Sequence, residues 1–504
     1  MKKNQVYIVS LIVLAVIVAW GLFGPSSFEA AANGAYAFLS GNFGWLYLLA
    51  MSSFVAFSVW IAFSKYGKIK LGKDDSVPDY SLTSWFAMLF SAGMGIGLVF
   101  WGAAEPLSHF ANPMYVEAGS REAAEFAIRK SFFHWGLHPW AGYSVLALAL
   151  AYMQFRKDKP GLISSIFIPL LGEERIAGPI GKTVDILAVF ATVAGMATSL
   201  GLGAYQINSG LNMLYGLPEN NTVILAIVGI ITVIYILTAV MGIDKGIKTM
   251  SDLNVVIAAV LLLATLIIGP TLLILNTFTN GLGDYLQTLV GDSFFVDPFG
   301  DSNWTSGWTV FYWAWWIAWA PFVGTFIARI SRGRTIKEFV FGVLLAPTLA
   351  SFVWFSVFGA TGINLGVEIA AEASKNPSTA LFVVLSHYPM GTLLSTVAVV
   401  LLCTFFITSA NSATYVLGMM TSNGSLNPSN LNKTIWGLIQ SGLALVLMLS
   451  SANGLKMLQT ASIAAGFPFA IVMVFGMFSL FKAIRKDPAV QEEDVIKITN
   501  RKVS

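Results

Sequence analysis

Twelve stretches of about twenty apolar residues follow one another along this chain of 504 residues, at roughly 6–24, 43–64, 84–104, 129–155, 184–207, 221–243, 253–277, 308–328, 338–360, 391–420, 433–451 and 457–481. A bilayer core about 30 Å thick takes about 20 apolar residues per helix. In lipid every backbone polar group must be satisfied within the structure, which leaves helices for such segments. The pattern predicts an all-α integral membrane protein with twelve transmembrane helices. Charged residues make up only 11% of the chain and hydrophobic ones 56%, whereas a soluble domain carries roughly a quarter charged residues. A soluble enzyme and a nucleic-acid binder are excluded; the expected surroundings are membrane lipid. The single cysteine, Cys403, has no partner for an intramolecular disulfide.

Lysine and arginine concentrate on the cytoplasmic side of membrane proteins. With the N-terminus inside, 24 of the 29 basic residues fall in inner segments, so both termini are expected to be cytoplasmic. The first span, longer than the apolar core of a signal peptide, is read as an uncleaved helix. The chain then divides into an N-terminal tail and two peripheral helices (1–83), a block of five helices (84–277), an outer amphipathic segment (278–306), a second block of five (307–481) and a short cytoplasmic tail (482–504), expected to be solvated. Leu282, Tyr285, Leu286, Leu289 and Val290 give the outer segment its helical apolar spacing. Five is odd, so the two blocks enter the membrane from opposite sides and are expected to be inverted repeats preceded by two extra helices.

Two spans depart from plain Leu/Ile/Val/Ala. The third contains Gly93, Gly95 and Gly97 in Ser91-Ala92-Gly93-Met94-Gly95-Ile96-Gly97; each glycine costs about 1 kcal/mol in a helix. The eighth contains Pro321, which removes a backbone hydrogen bond. Paired interruptions at corresponding places mark the binding site of a transporter, so breaks are expected in both.

Six of the fifteen tryptophans lie between Trp304 and Trp319. Trp304 and Trp308 sit where an interfacial belt is expected. Trp315, Trp316 and Trp319 lie deep in their span and share one arc of the helix, and Trp135, Trp140 and Tyr143 repeat the oddity in the fourth span. A quaternary ammonium has no N–H to donate and is held by aromatic faces through cation–π attraction, about 2 kcal/mol when desolvated. Such a cage needs no acidic counter-ion. The spans hold almost none, with Asp185 at a helix start and Glu105 closing the third span. His134 and His138 are the candidates for a proton relay, though a satisfied helix histidine is the plainer reading of each. Sodium, a hard cation, is held by oxygens alone, and Thr408 and Ser409 bring hydroxyls deep into the tenth span. Gly281-Leu282-Gly283-Asp284 matches a string of intramembrane aspartyl proteases, but it lies outside the spans and has no second buried aspartate. No zinc-protease or nucleophile-elbow motif occurs. No enzyme, catalytic residue or resident cofactor is expected.

With these residues in view, the chain resembles the betaine/choline/carnitine transporter family, most closely its bacterial glycine betaine members, over about residues 40–480. The motifs that carry the resemblance are Gly93-Met94-Gly95-Ile96-Gly97, the run from Trp135 to Tyr143, and Phe311-Tyr312-Trp313-Ala314-Trp315-Trp316 through Ser331-Arg332-Gly333-Arg334-Thr335. The resemblance implies the inverted five-helix-repeat fold of sodium-coupled symporters, a homotrimer, and a multi-pass protein of the bacterial plasma membrane. It implies sodium-coupled uptake of glycine betaine, an osmoprotective compatible solute, by alternating access. The substrate site would be Trp135, Trp140, Tyr143, Trp315, Trp316 and Trp319 with Gly93, Gly95 and Gly97, and one sodium site Ser91, Met94, Phe405, Thr408 and Ser409. A second sodium site would fall on Thr192, Met196 and Phe322, where Met196 replaces a threonine and offers no oxygen. Gly97 stands where proton-coupled choline members have an aspartate, and Asn411 where close relatives have one. The alternative is a choline, carnitine or proline-betaine carrier of the same family, proton-coupled or an exchanger.

Overall fold

The computed structural model describes residues 5–491 apart from 94, 242, 301, 302 and 426, and of 90–93 and 243–249 the backbone alone. Its helices begin with α1 (Gln5–Phe23) and α2 (Pro25–Phe63), followed by α3 (Leu82–Gly93), α4 (Ile96–Ala111), α5 (Arg121–Trp135) and α6 (Leu137–Ala151). The short α7 (Ile168–Leu171) and α8 (Glu173–Ala177) lead into α9 (Pro179–Tyr215), α10 (Asn221–Met241), α11 (Ile243–Ile268) and α12 (Thr271–Ser293). The rest is α13 (Phe311–Ile330), α14 (Ile336–Ile363), α15 (Val367–Lys375), α16 (Ala380–Ser386), α17 (Gly391–Met420), α18 (Asn430–Leu449) and α19 (Gly454–Ile484). The protein is an all-helical, multi-span membrane protein.

Ten helices among the described residues are long and apolar enough to cross a membrane. The two expected spans missing from that set are the third and the fourth, each made of two shorter helices: α3 with α4, and α5 with α6. The break in the third span is where its glycines put it. The break in the fourth, at Gly136, was not expected. Its freed backbone is satisfied by α12, where the Tyr285 hydroxyl accepts from the Leu137 N–H at 3.1 Å. The eighth span corrects the expectation in the other direction: α13 runs unbroken through Pro321. Neighbouring helices compensate a proline inside a membrane helix, and this helix with its preceding turn, Ser306–Ile330, is 94% buried in its apolar window, against 22% for α1. It is the central post of the bundle, packed against α6, α9 and α19. The seventh span also ends early. Pro270 stops α11 at Ile268, and the amphipathic helix α12 starts at Thr271 rather than near 278.

At one end of the bundle the loops lock together. Ile69 and Leu71 exchange backbone hydrogen bonds with Gly333, Arg334 and Ile336 at 2.8 to 2.9 Å. Thr335 caps α14 by accepting from the Glu338 N–H at 3.1 Å, a side-chain N-cap. Arg334, buried, lies 4.1 Å over the Trp85 ring. The start of the C-terminal segment belongs to the same assembly. Asp487 is fully buried, receiving Arg156 Nε and Nη2 at 2.6 Å each and the Tyr152 hydroxyl at 2.7 Å. The third Arg156 nitrogen, Nη1, donates to Gly72 O at 2.9 Å and Asp74 Oδ1 at 2.8 Å. A simply solvated tail is therefore the wrong description up to residue 491.

Candidate functional site

The six aromatic residues singled out in the sequence converge where α5, α6 and α13 meet, and all are at most 4% exposed. Trp315 and Trp316 stack at 4.8 Å between ring centroids and 14° between planes. Trp135 meets the Trp316 face edge-on at 4.7 Å and Trp315 at 6.3 Å. Tyr143 stands 6.5 Å from Trp316 and 5.5 Å from Trp140, and Trp319 lies 6.3 Å from Trp315. The rings are pinned by their polar edges: Trp316 Nε1 donates to His134 O at 3.0 Å and Trp319 Nε1 to Gly195 O at 2.9 Å. Two polar atoms of the cage, Tyr143 Oη and Trp315 Nε1, are buried and meet no partner among the described residues.

Glycines set how closely the backbone approaches these rings. A Cβ on Gly97 would sit 2.7 Å from the tip of Trp315 and 3.1 Å from that of Trp135, so α4 touches the cage only because residue 97 has no side chain. On α9, a Cβ at Gly195 would meet Trp319 Cδ1 at 2.7 Å. Gly195→Ala is expected to push Trp319 off its hydrogen bond and weaken substrate affinity at least tenfold, measured by equilibrium binding; unchanged affinity would show that Trp319 lies outside the recognition surface. Sequence reading missed Gly195, because one glycine in a long apolar helix gives no signal until its neighbour is known.

Glu105 is the larger omission and a correction. It does not close the third span but lies inside α4, which runs on to Ala111, and it is 0% exposed. Its Oε2 receives Trp135 Nε1 at 2.8 Å and the Tyr312 hydroxyl at 2.5 Å, and its Oε1 faces His134 Nδ1 at 2.6 Å and His109 Nε2 at 3.3 Å. The apolar run continuing through Leu107 and Phe110 was the signal that the helix goes on. Trp304 and Trp308, at the depth where an interfacial belt is expected, also cover this cluster, with centroids 5.0 and 4.4 Å from His109. His138 stacks on Trp313 at 5.0 Å and shares a 3.0 Å hydrogen bond with the Ser293 hydroxyl through Nε2, while its Nδ1 is buried without a partner among the described residues.

Of the expected sodium residues, Met94 lies outside the described residues, as do the side-chain surroundings of Ser91 and the neighbourhood of Gly93. Of the remaining ones, Ser409 lies beside the broken third span, and Thr408 and Phe405 meet each other within α17. The Ser409 hydroxyl lies 3.3 Å from where a Gly95 Cβ would be, and the Thr408 hydroxyl lies 3.2 Å from Phe405 O. Asn254 of α11 joins them, donating to Thr408 Oγ1 at 2.9 Å while its own Oδ1 is buried without a partner among the described residues. Asn411, which had no explanation in the sequence, donates to Thr238 on α10 at 2.8 Å. At the second expected site Thr192 gives its hydroxyl to Ala188 O at 2.8 Å, and Met196 and Phe322 are buried. A richer oxygen cluster lies six residues on from Thr192 along α9, where Thr198 Oγ1 meets Leu458 O at 2.8 Å and Ser462 Oγ at 2.9 Å.

Comparison with known proteins is consistent across the chain. Residues 5–489 match the profile of the betaine/carnitine/choline family transporters. The glycine betaine transporter OpuD of Bacillus subtilis is 50% identical, over 96% of this chain and 95% of its own. A probable glycine betaine transporter of Desulfitobacterium hafniense is 47% identical, over 96% of this chain and 98% of its own. An ectoine/hydroxyectoine transporter of Virgibacillus pantothenticus is 44% identical, over 98% of both chains.

Proposed function

Because the chain belongs to the betaine/carnitine/choline transporter family, we propose that it takes up glycine betaine across the bacterial plasma membrane, driven by a sodium gradient. It is a transporter and not an enzyme. The observation that carries the substrate reading is the convergence of Trp135, Tyr143, Trp315 and Trp316 from two separate parts of the chain onto one buried spot. A cation is attracted by an aromatic face within about 6 Å of its centroid, and a dry cage of this kind suits an alkylated ammonium. The two unpartnered donors, Tyr143 Oη and Trp315 Nε1, suit the carboxylate of the same zwitterion, since a buried polar group left unpaired costs about 1–3 kcal/mol. Trp135 touches Trp316 at 4.7 Å, so admitting the ammonium requires these rings to part, and the helix break at Gly136, one residue on, is the natural hinge.

Sodium would be held by Phe405 O and the hydroxyls of Thr408 and Ser409 against the broken third span, with Ser91 and Met94 completing the shell and Asn254 supplying a further oxygen. Binding there would tie the third span to α17. The five-helix blocks 84–277 and 307–481 would act as inverted repeats that rock against each other, with both termini cytoplasmic and three copies forming the working assembly. The test is uptake of labelled glycine betaine into proteoliposomes with an inward sodium gradient and with potassium in its place. Saturable accumulation that needs sodium is expected; uptake indifferent to sodium would overturn the coupling and leave the cage. Ser409→Ala and Thr408→Ala are each expected to raise the sodium concentration for half-maximal uptake about tenfold, while betaine binding at saturating sodium stays within a factor of about three.

The relative that carries ectoine and hydroxyectoine favours a second reading, in which a cyclic zwitterion uses the same cage. Competition of unlabelled ectoine, choline and carnitine against labelled betaine separates these substrates.

A further inference from the structure

The cage was expected to hold its cation without help from any carboxylate. The structure places one directly behind it. Glu105 is buried, shares its Oε2 between Trp135 of the cage and Tyr312, and faces His134 and His109 with Oε1. An indole N–H only donates, so Oε2 accepts from Trp135. The His134 Nε2 bond with the Thr309 hydroxyl at 2.9 Å and the unpartnered His109 Nδ1 fit two neutral imidazoles, each donating one N–H to Oε1. Four donors then converge on the two oxygens, the pattern of a carboxylate rather than of a carboxylic acid. The nearby ammonium of Lys130 pairs with Asp292 at 2.7 Å, which Arg129 also approaches at 3.7 Å, and Glu105, which neither base contacts, is the carboxylate that hydrogen-bonds a ring of the cage.

We infer that Glu105 is a positioning residue whose negative charge, delivered through Trp135, makes the cage select the cationic head-group of a zwitterion. The inference deepens the substrate reading above and rests on it. Two effects act in the same direction. The charge-assisted hydrogen bond to Trp135 Nε1 pushes electron density into the indole, whose face then attracts a cation more strongly. The charge itself attracts an ammonium and repels the substrate's own carboxylate. A unit charge roughly 10 Å away, acting through an effective dielectric of about 20, changes such a preference about tenfold. The Trp316 indole donates to the backbone carbonyl of His134 at 3.0 Å, the residue whose ring faces Glu105.

The experiment compares glycine betaine with 3,3-dimethylbutanoate, its isostere with carbon in place of the charged nitrogen. Calorimetric titration of the full-length detergent-solubilised protein at saturating sodium gives the ratio of the two dissociation constants. In Glu105→Gln the preference for betaine over the isostere is expected to fall about tenfold. Equal weakening of both ligands, with the ratio preserved, is what a merely structural role would produce and would overturn the inference. Glu105→Asp keeps the charge and is expected to keep the preference even where overall affinity drops; a lost preference in the aspartate variant would also overturn it, which covers the case in which the glutamine variant fails to fold. Wild-type protein that binds neither compound would instead overturn the substrate reading and this inference with it.

Discussion

Replacing Trp316 by leucine is expected to reduce glycine betaine uptake at least a hundredfold, while Trp304→Leu changes it less than about threefold. Trp316 is the ring on which the cage is built, since Trp135, Trp315 and Tyr143 all meet it. Its loss removes about 2 kcal/mol of cation–π attraction. It also leaves the His134 carbonyl, which now receives the indole N–H at 3.0 Å, without a partner in a dry site, at about 1–3 kcal/mol. Leucine fills part of the volume and replaces neither interaction. Trp304 is equally aromatic and also near the His134 ring, at 5.8 Å, but it packs on His109 and Phe126. Initial rates of labelled betaine uptake, normalised to reconstituted protein, decide the matter. Equal losses in both variants would mean that bulk packing, and not the cage, sets affinity.

The second large effect is on stability, where the start of the C-terminal segment meets the loops. Asp487→Asn is expected to destabilise the protein by about 3 kcal/mol, because removing one member of a buried ion pair strands the other. Arg156 has side-chain exposure of only 7% and Asp487 of 0%. The pH dependence has a definite sign. Burial pushes the Asp487 carboxyl up, but the hydrogen bonds from Arg156 and Tyr152 and the charges of Arg156 and Lys157 outweigh it and hold the carboxyl below its ordinary value. A depressed carboxylate contributes stability that is present above its unfolded pKa, about 3.9, and is lost as pH falls from there through the folded value. Thermal melts of wild type and Asp487→Asn should therefore differ most at neutral pH and approach each other below about pH 4. A difference that persists unchanged into acid would mean that the clamp is held by shape rather than by charge.

Legibility varied with the kind of signal. The twelve spans were readable because hydrocarbon imposes one length and one composition on each. The third span's break was readable because three glycines at spacing two are conspicuous in an apolar run. The break at Gly136 was not, since a single glycine breaks a helix only when something satisfies the freed N–H, and here that is Tyr285 from a helix about 150 positions on. Pro321 misled for the mirror reason: a proline bends a lone helix, but one enclosed on every side by α6, α9 and α19 stays straight enough to be continuous. Trp304 and Trp308 were readable as belt residues because tryptophan is one on average, but their protein neighbours were not. In the structure they close over His109, a partner chosen by the fold.

By itself the sequence determined the class of molecule and the number of spans and picked out six deep aromatic rings, because each of these follows from residue type and local spacing. Only the tertiary structure decided what stands behind those rings. Glu105 reads as the end of a span until Trp135, Tyr312, His134 and His109 are seen to converge on it. Asp487 reads as part of a tail until Arg156 closes on it. A buried charge is specified by its partners, and those partners come from elements far apart in the chain, where no local pattern records them.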